Sequence, residues 1–201
     1  GENLAVLAKL EKVGSISMRN NSSLTEFALP NLLSIRGELF IANPAENNIT
    51  SIKCPQLTTI LKQCYIQAPN LKSLNLNSLE SIPGKGDNSD GDGTFSLYGS
   101  QLVSLDLPVL KQVGKKFTLS LGTKHPELTQ INLPELISCK EVSIGYADKL
   151  ETISLPKLSS LSSFSITSCT KFSKLNETIA PFNMEKLSVS HCPSVTELDA
   201  S

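Results

Sequence analysis

Five cysteines stand at positions 54, 64, 139, 169 and 192. No two are spaced C-x-x-C, the arrangement a structural zinc site uses. Cys54, Cys64 and Cys139 fall where neighbouring segments carry Leu, Phe or Ile. There a thiol acts as a small apolar filler. Cys169 and Cys192 are one repeat apart, each three residues after an apolar position (Ile166, Val189). Two readings are open for that pair: buried free thiols, or a disulfide between residues that lie one above the other.

A second cluster that bears on chemistry is PGKGDNSDGDGT at 83–94. Its Asn88-x-Asp90-x-Asp92-Gly93 resembles the first half of a calcium loop, with oxygen ligands at alternate positions and a glycine turn. The bidentate glutamate expected at the twelfth place is missing, because Gly99 is there. The alternatives are a calcium site on Asn88, Asp90 and Asp92, or a solvated Gly/Asp-rich loop. The two histidines offer less. His125 lies beside Pro126 and His191 beside Cys192, and a nucleophilic triad needs a histidine held between a nucleophile and an acid. Glu141 and Glu197 are too far apart along the chain pattern to form the carboxylate pair of a glycosidase. The expectation is therefore a protein without catalytic activity. Four N-x-S/T sequons, at Asn20, Asn21, Asn48 and Asn176, are glycan acceptors if the chain passes through a eukaryotic secretory route.

What positions these residues is a repeat. LTQINLPELISCKEVSIGYADK from Leu128 aligns with LETISLPKLSSLSSFSITSCTK from Leu150, and the same template fits from Leu24, Ile49, Leu71 and Leu102, with looser copies from Phe172 and Val195. The consensus is L-x-x-[IL]-x-L-P-x-L-x-x-[IVL], two or three residues, then [FLVC]-x-[IL] and a polar turn. Each unit holds two short stretches of strict alternation, which put apolar side chains on one face of a strand. The proline cannot donate a ladder bond, so it ends the first strand. No unit has room for a helix with a 3.6-residue period. The expected fold is mainly β, a right-handed solenoid of about eight coils of 22–25 residues with two short parallel strands each. At about 4.8 Å per coil it spans roughly 40 Å. Residues 1–23 form an N-terminal cap or a degraded unit, since Leu4, Leu7 and Leu10 have helical spacing; repeats occupy 24–198, and 83–94 is an inserted loop.

In this register the outward residue of the second strand runs Phe40, Tyr65, Ser96, Thr118, Ser143, Ser165, Ser188, a line of hydroxyls with two aromatics at one end. With Tyr98, the residues Phe40, Tyr65, Ser96, Thr118 and Ser143 are the candidate ligand-binding set, because rings give contact area at low entropic cost. The equivalent line of the first strand runs Ala28, Lys53, Asn75, Asp106, Asn132, Ser154, Asn176. Serine and threonine also tolerate an exposed sheet face without any ligand, so both readings stand.

Composition sets outer bounds. The 201 residues are 39% hydrophobic, with no Trp, three Tyr and seven Phe, so Leu and Ile must fill the core. A net charge of −1 supplies no basic stripe for nucleic acid and no attraction to anionic lipid. No apolar run approaches the ~20 residues of a membrane span. No leader or anchor motif is visible, and with a fragment in view that decides nothing.

The pattern L-x-x-L-x-L-P-x-L-x-x-I-x-G-x-L-x-I, met nearly position for position in LTEFALPNLLSIRGELFI at 24–41, resembles the leucine-rich L domains of growth-factor receptors and the similar repeats of fungal wall proteins. SITSCTKFSKL and SVSHCPSVTEL are also similar to BspA-like bacterial surface repeats. The ordinary leucine-rich asparagine place is held by Leu136 or Leu158 here, and the G-x-x-A-F element of BspA-like units is missing. The resemblance implies a cell-surface or secreted protein, on a bacterial outer surface if the BspA likeness holds, that binds an extracellular protein or glycan. A spacer within a longer surface protein and a carbohydrate-active β-helix are the alternatives.

Overall fold

The computed structural model describes residues 7–42, 48–86, 91–122, 126–173 and 184–195. They form a β-solenoid with almost no helix; the described residues contain one 3-10 turn, Leu7–Lys9. No helix among them is long and apolar enough to cross a membrane.

Each coil has three straight sides. The first side carries the three-residue strands Glu26–Ala28, Ser51–Lys53, Ser73–Asn75, Ser104–Asp106, Gln130–Asn132 and Thr152–Ser154. The second carries two-residue strands, Lys12–Val13, Ser34–Ile35, Thr59–Ile60, Ser81–Ile82 and Gln112–Val113, continued by bridges at Ser138 and Ser160. The third and longest side is an eight-stranded sheet: Ile16–Arg19, Leu39–Ala42, Gln63–Gln67, Thr94–Tyr98, Lys116–Ser120, Glu141–Gly145, Ser163–Thr167 and Lys186–Ser190. All pairing is parallel, and in register the inner residues stack Leu39, Cys64, Phe95, Phe117, Val142, Phe164. Eight rungs make about seven turns.

Both strands expected of a coil are present in the coils from Leu24, Ile49, Leu71, Leu102, Leu128 and Leu150; the first strand expected of the coil from Phe172 lies outside the described residues. The second side is an addition that the pattern did not give: two residues are too few to alternate, so the sequence shows only their inward member (Ile35, Ile60, Ile82, Val113). In the N-terminal segment Lys12–Val13 and Ile16–Arg19 pair with the coil that follows, while residues 1–6 lie outside the described residues.

The prolines sit at the second place of a tight turn. Leu32 N–H donates to Leu29 O (3.3 Å), Leu57 to Cys54 O (3.1 Å) and Leu136 to Leu133 O (3.2 Å), turns that favour proline inside them. The residue before the proline still donates to the next rung, as Leu29 does to Lys53 O at 2.9 Å, so the missing proline N–H breaks no ladder bond. In the coil from Leu71, Asn77 replaces proline and donates its N–H to Asn75 Oδ1 (3.3 Å).

One continuous apolar core runs through the coils. Cys54, Cys64 and Cys139 are buried free thiols in it, as expected; Cys169 and Cys192 are free and buried as well. They share an inward column with Ala68 and Ala147 that takes small side chains. Desolvation pushes the thiols of Cys54, Cys139 and Cys169 up to about 11, which keeps them neutral and unreactive at neutral pH. Outside, ion pairs link successive rungs: Glu26–Lys53 (2.6 Å), Glu80–Lys111 (3.0 Å), Glu127–Lys149 (2.7 Å) and Glu135–Lys157 (2.7 Å). Half-exposed pairs of this kind contribute at most about 1 kcal/mol each.

Regularity fails on the first side. Its strands form two separate three-stranded sheets, and Ser73–Asn75 is not bonded to Ser104–Asp106. The same two coils stay paired on the other two sides.

Candidate functional site

The long side presents three outward columns. In the middle column Phe40 and Tyr65 pair across the ladder, followed by Ser96, Thr118, Ser143, Ser165 and Ser188. The rings of Phe40 and Tyr65 stack at 4.7 Å between centroids, 11° from parallel. Tyr65 meets Tyr98 at 5.2 Å and 36°. On the other side of the stack the Arg19 guanidinium lies 4.2 Å over the Phe40 ring, a cation–π contact. The result is a ridge, Arg19–Phe40–Tyr65–Tyr98, crossing four rungs, with Phe40 and Tyr65 in the middle column and Arg19 and Tyr98 in the column beside it. The Tyr65 phenol donates to Gln67 Oε1 (3.4 Å). Burial by its neighbours raises the Tyr65 pKa, Tyr98 raises it further and Arg19 lowers it, so the phenol is protonated and a donor at neutral pH.

The structure brings together Phe40, Tyr65 and Tyr98 from the candidate set, and adds Arg19. Arg19 was hidden because it falls in the segment read as a cap or a degraded unit; the alternation of Ile16-Ser17-Met18-Arg19 was the available signal. Ser96 differs from expectation. Only 8% of it is exposed, flanked by Tyr65 across the ladder and Tyr98 two residues on, so it is a wall of the ridge. Thr118 and Ser143 are half-buried on the sheet surface beyond Tyr98. Together with Ser120, Gly145, Ser165 and Thr167 they make a low shelf of small side chains. None of its hydroxyls is tied up in a side-chain hydrogen bond among the described residues.

The insertion lies along the edge of this face. Gly91 has φ +80°, and a Cβ there would stand 1.9 Å from Gln63 Oε1; Gln63 in turn donates to Glu38 Oε2 (2.6 Å). Asp92 is 8% exposed. Its Oδ1 accepts the Lys85 N–H and its Oδ2 the Gly86 N–H, both at 2.7 Å. Of the calcium candidates, Asn88 and Asp90 lie outside the described residues. No cluster of three or more His, Cys, Asp or Glu able to hold a metal occurs among the described residues. Asp92 as placed serves as an internal acceptor that closes the loop. Asp92→Ala should leave two amides without their charged acceptor, at about 1.5–3 kcal/mol for each bond. The melting temperature is expected to fall by the same amount in calcium and in chelator; a loss seen only with calcium present would restore the cation reading.

His191 acquires a partner the sequence did not suggest, as Ser190 Oγ lies 2.8 Å from its Nδ1. No carboxylate is bonded to that ring among the described residues. His125, Glu197 and the Asn176 sequon lie outside the described residues. Asn20, Asn21 and Asn48 are exposed, and Asn48 Nδ2 donates to Ser22 O (2.6 Å), which places the three sequons at one corner.

Comparison with protein-family models, with curated proteins and with solved structures finds no match.

Proposed function

We propose that the chain is a non-catalytic binding module, secreted or displayed at a cell surface, which engages a protein or a glycan across the long side. The observation that carries this reading is the step between ridge and shelf. Three rings and a guanidinium are already packed on one another, so they lose little freedom on binding. Beside them stand hydroxyls with unused donors and acceptors. The stacking also refines how the ridge would be used. Phe40 and Tyr65 have their faces covered by neighbours, so they offer edges and a phenol tip. Tyr98 ends the stack, which leaves its outer face towards the shelf. A sugar ring or an apolar side chain seated on Tyr98 reaches the hydroxyls of Thr118 and Ser143. The family resemblance supports the surface location.

The test begins with a glycan array and a pull-down to find a ligand, followed by titration of single variants. Tyr65→Ala and Tyr98→Ala are expected to weaken binding by about 2 kcal/mol, roughly thirtyfold. Val103→Ser, on the first side, is expected to change nothing. Unaltered affinity in both tyrosine variants would sink the assignment. Cleavage of any polysaccharide would overturn the non-catalytic part.

A further inference from the structure

Beyond Tyr98 the long side carries a second exposed tyrosine. Several rungs close their long strand with a residue in the left-handed region: Asn20 (φ 54°), Gly99 (56°), Tyr146 (56°), Ser168 (52°) and His191 (54°). Glycine and asparagine suit that conformation, and a bulky side chain does not. Tyr146 is held there all the same, its N–H donating to Thr167 O at 2.9 Å. It is 48% exposed, so core packing does not account for it. The rung of Thr94 ends Tyr98-Gly99 and the rung of Glu141 ends Gly145-Tyr146, the same two residue types in opposite order. Tyr98 pairs with Ser120, and Ser120 with Gly145. The two tyrosines therefore stand two rungs apart, roughly 10 Å along the axis on a rung spacing of about 4.8 Å.

The floor between them carries hydroxyls and no charge. Ser96 begins it, on the outward column between Tyr65 and Thr118. Only 8% of it is exposed, and its hydroxyl makes no hydrogen bond among the described residues. A buried hydroxyl left without a partner is costly, and a ligand that brings a polar group to the foot of Tyr98 removes that cost. Thr118, Ser120 and Ser143 follow, all half-buried. The charges in the flanking column, Lys116 and Glu141, answer each other at 3.6 Å. Gly145 keeps the floor low beside Tyr146. Packing does not require glycine there, because a Cβ would meet nothing closer than Thr167 O at 3.6 Å.

We infer that the long side binds a neutral, extended polysaccharide of β-linked hexose rings laid along the solenoid axis, with one ring on Tyr98 and the next but one on Tyr146. This rests on the reading of the long side as the binding face, and it chooses glycan over protein. A protein partner is held by apolar anchors at a desolvated centre, whereas the floor beyond Tyr98 offers hydroxyls. A face that repeats rung by rung matches a polymer that repeats ring by ring, and two hexose rings in an extended β-linked chain span the gap between the two tyrosines. Each sugar ring has an apolar C–H face for an aromatic ring and hydroxyls around its rim for Ser96, Thr118 and Ser143. The uncharged floor would leave the carboxylates of an acidic polysaccharide desolvated and unpaired, so the chain it takes is neutral.

The experiment is affinity electrophoresis of the chain through gels that each hold one soluble polysaccharide: a neutral β-glucan, a neutral β-mannan or an acidic polyuronate. Calorimetry with oligosaccharides of the retarding polymer follows. A neutral polymer is expected to retard the chain and the polyuronate to leave it free. The hexasaccharide should bind roughly tenfold more tightly than the disaccharide, because only the longer chain reaches both tyrosines. Tyr146→Gly should remove that gain while the melting temperature stays the same or rises, since glycine suits this backbone; the loss is then not one of folding. Gly145→Val, which fills the floor, should weaken the hexasaccharide to a similar degree. No retardation by either neutral polymer, equal affinity for the two oligosaccharides, or wild-type binding by both variants would each overturn the proposal. The broader reading fails differently, by Tyr65→Ala and Tyr98→Ala leaving the affinity of every ligand unaltered. It outlives the polysaccharide if a protein ligand binds Tyr98→Ala more weakly.

Discussion

Phe117→Ala should lower the unfolding free energy by about 3–5 kcal/mol, the range for removing a fully buried phenylalanine. Phe117 is 0% exposed. Its ring lies on that of Phe95, 4.9 Å between centroids and 7° from parallel. The effect should exceed a simple loss of volume because of where this contact lies. Phe95 belongs to the coil from Leu71 and Phe117 to the coil from Leu102, the two coils whose first-side strands are unbonded. A solenoid is stabilised by coil-to-coil interfaces, each touching only its neighbours. This interface already lacks one of its three sheet contacts, so the aromatic stack bears a larger share of the coupling between the two halves. The expected result is a denaturant curve that is no longer a single transition, with residues 104–195 and residues 7–98 losing amide protection at different denaturant concentrations. A wild-type-like two-state curve costing under about 1 kcal/mol would show that the other two sides hold the halves together without help.

Much of this interface was out of reach of the sequence. The coil count, the long strands and the burial of Cys54, Cys64 and Cys139 follow from positions that repeat, and a repeat is what self-alignment detects. The second side escaped because two residues carry no period. The break between the first-side strands of the coils from Leu71 and Leu102 escaped for a different reason: Leu71-Lys72-Ser73-Leu74-Asn75-Leu76 satisfies the template as well as its neighbours do, and the break arises from how two coils meet. The candidate site was legible in part. Alternation put Phe40 and Tyr65 on one face, Tyr98 already stood in the candidate set, and the fold set it against Tyr65 and added Arg19 over Phe40. Ser96 was placed correctly in the column but not in its surroundings, because side-chain burial on a sheet face depends on the size of cross-strand neighbours. Asp92 shows the limit of motif reasoning. Its spacing suits a hard cation, yet its carboxylate is taken up by two amides of its own loop.

Gly114→Ala acts on the same interface from the second side. Gly114 N–H donates to Ile82 O (2.9 Å), so its backbone is pinned against the coil beneath. A Cβ at this position would stand 2.0 Å from Pro83 O and 2.7 Å from Pro83 C. Those are backbone atoms at the start of the insertion, and no rotamer change moves them. The strand pair Ser81–Ile82 and Gln112–Val113 must separate, or the loop entrance must shift. Overpacking of this sort costs about 1–3 kcal/mol, and a clash with fixed backbone belongs at the upper end. For a chain of this length that corresponds to a melting temperature lower by roughly 6–12 °C. Two glycines supply controls of graded severity. At Gly37 the nearest atom is the Ser15 hydroxyl, 2.1 Å away, with the Gly14 carbonyl oxygen at 2.8 Å; the serine can rotate, losing the hydrogen bond it accepts from Glu38 N–H (3.2 Å), which leaves one milder backbone contact against the two, 2.0 and 2.7 Å, at Gly114. At Gly14 nothing lies within 4 Å, so alanine there should be neutral or slightly stabilising through the unfolded chain. The expected order of melting temperatures is Gly14→Ala highest, Gly37→Ala between, Gly114→Ala lowest. An equal drop in all three would mean that generic loss of glycine freedom sets the cost; a drop unique to Gly114→Ala, together with faster exchange at Ile82 and Val113, would locate it at the junction of Pro83 with the rung above.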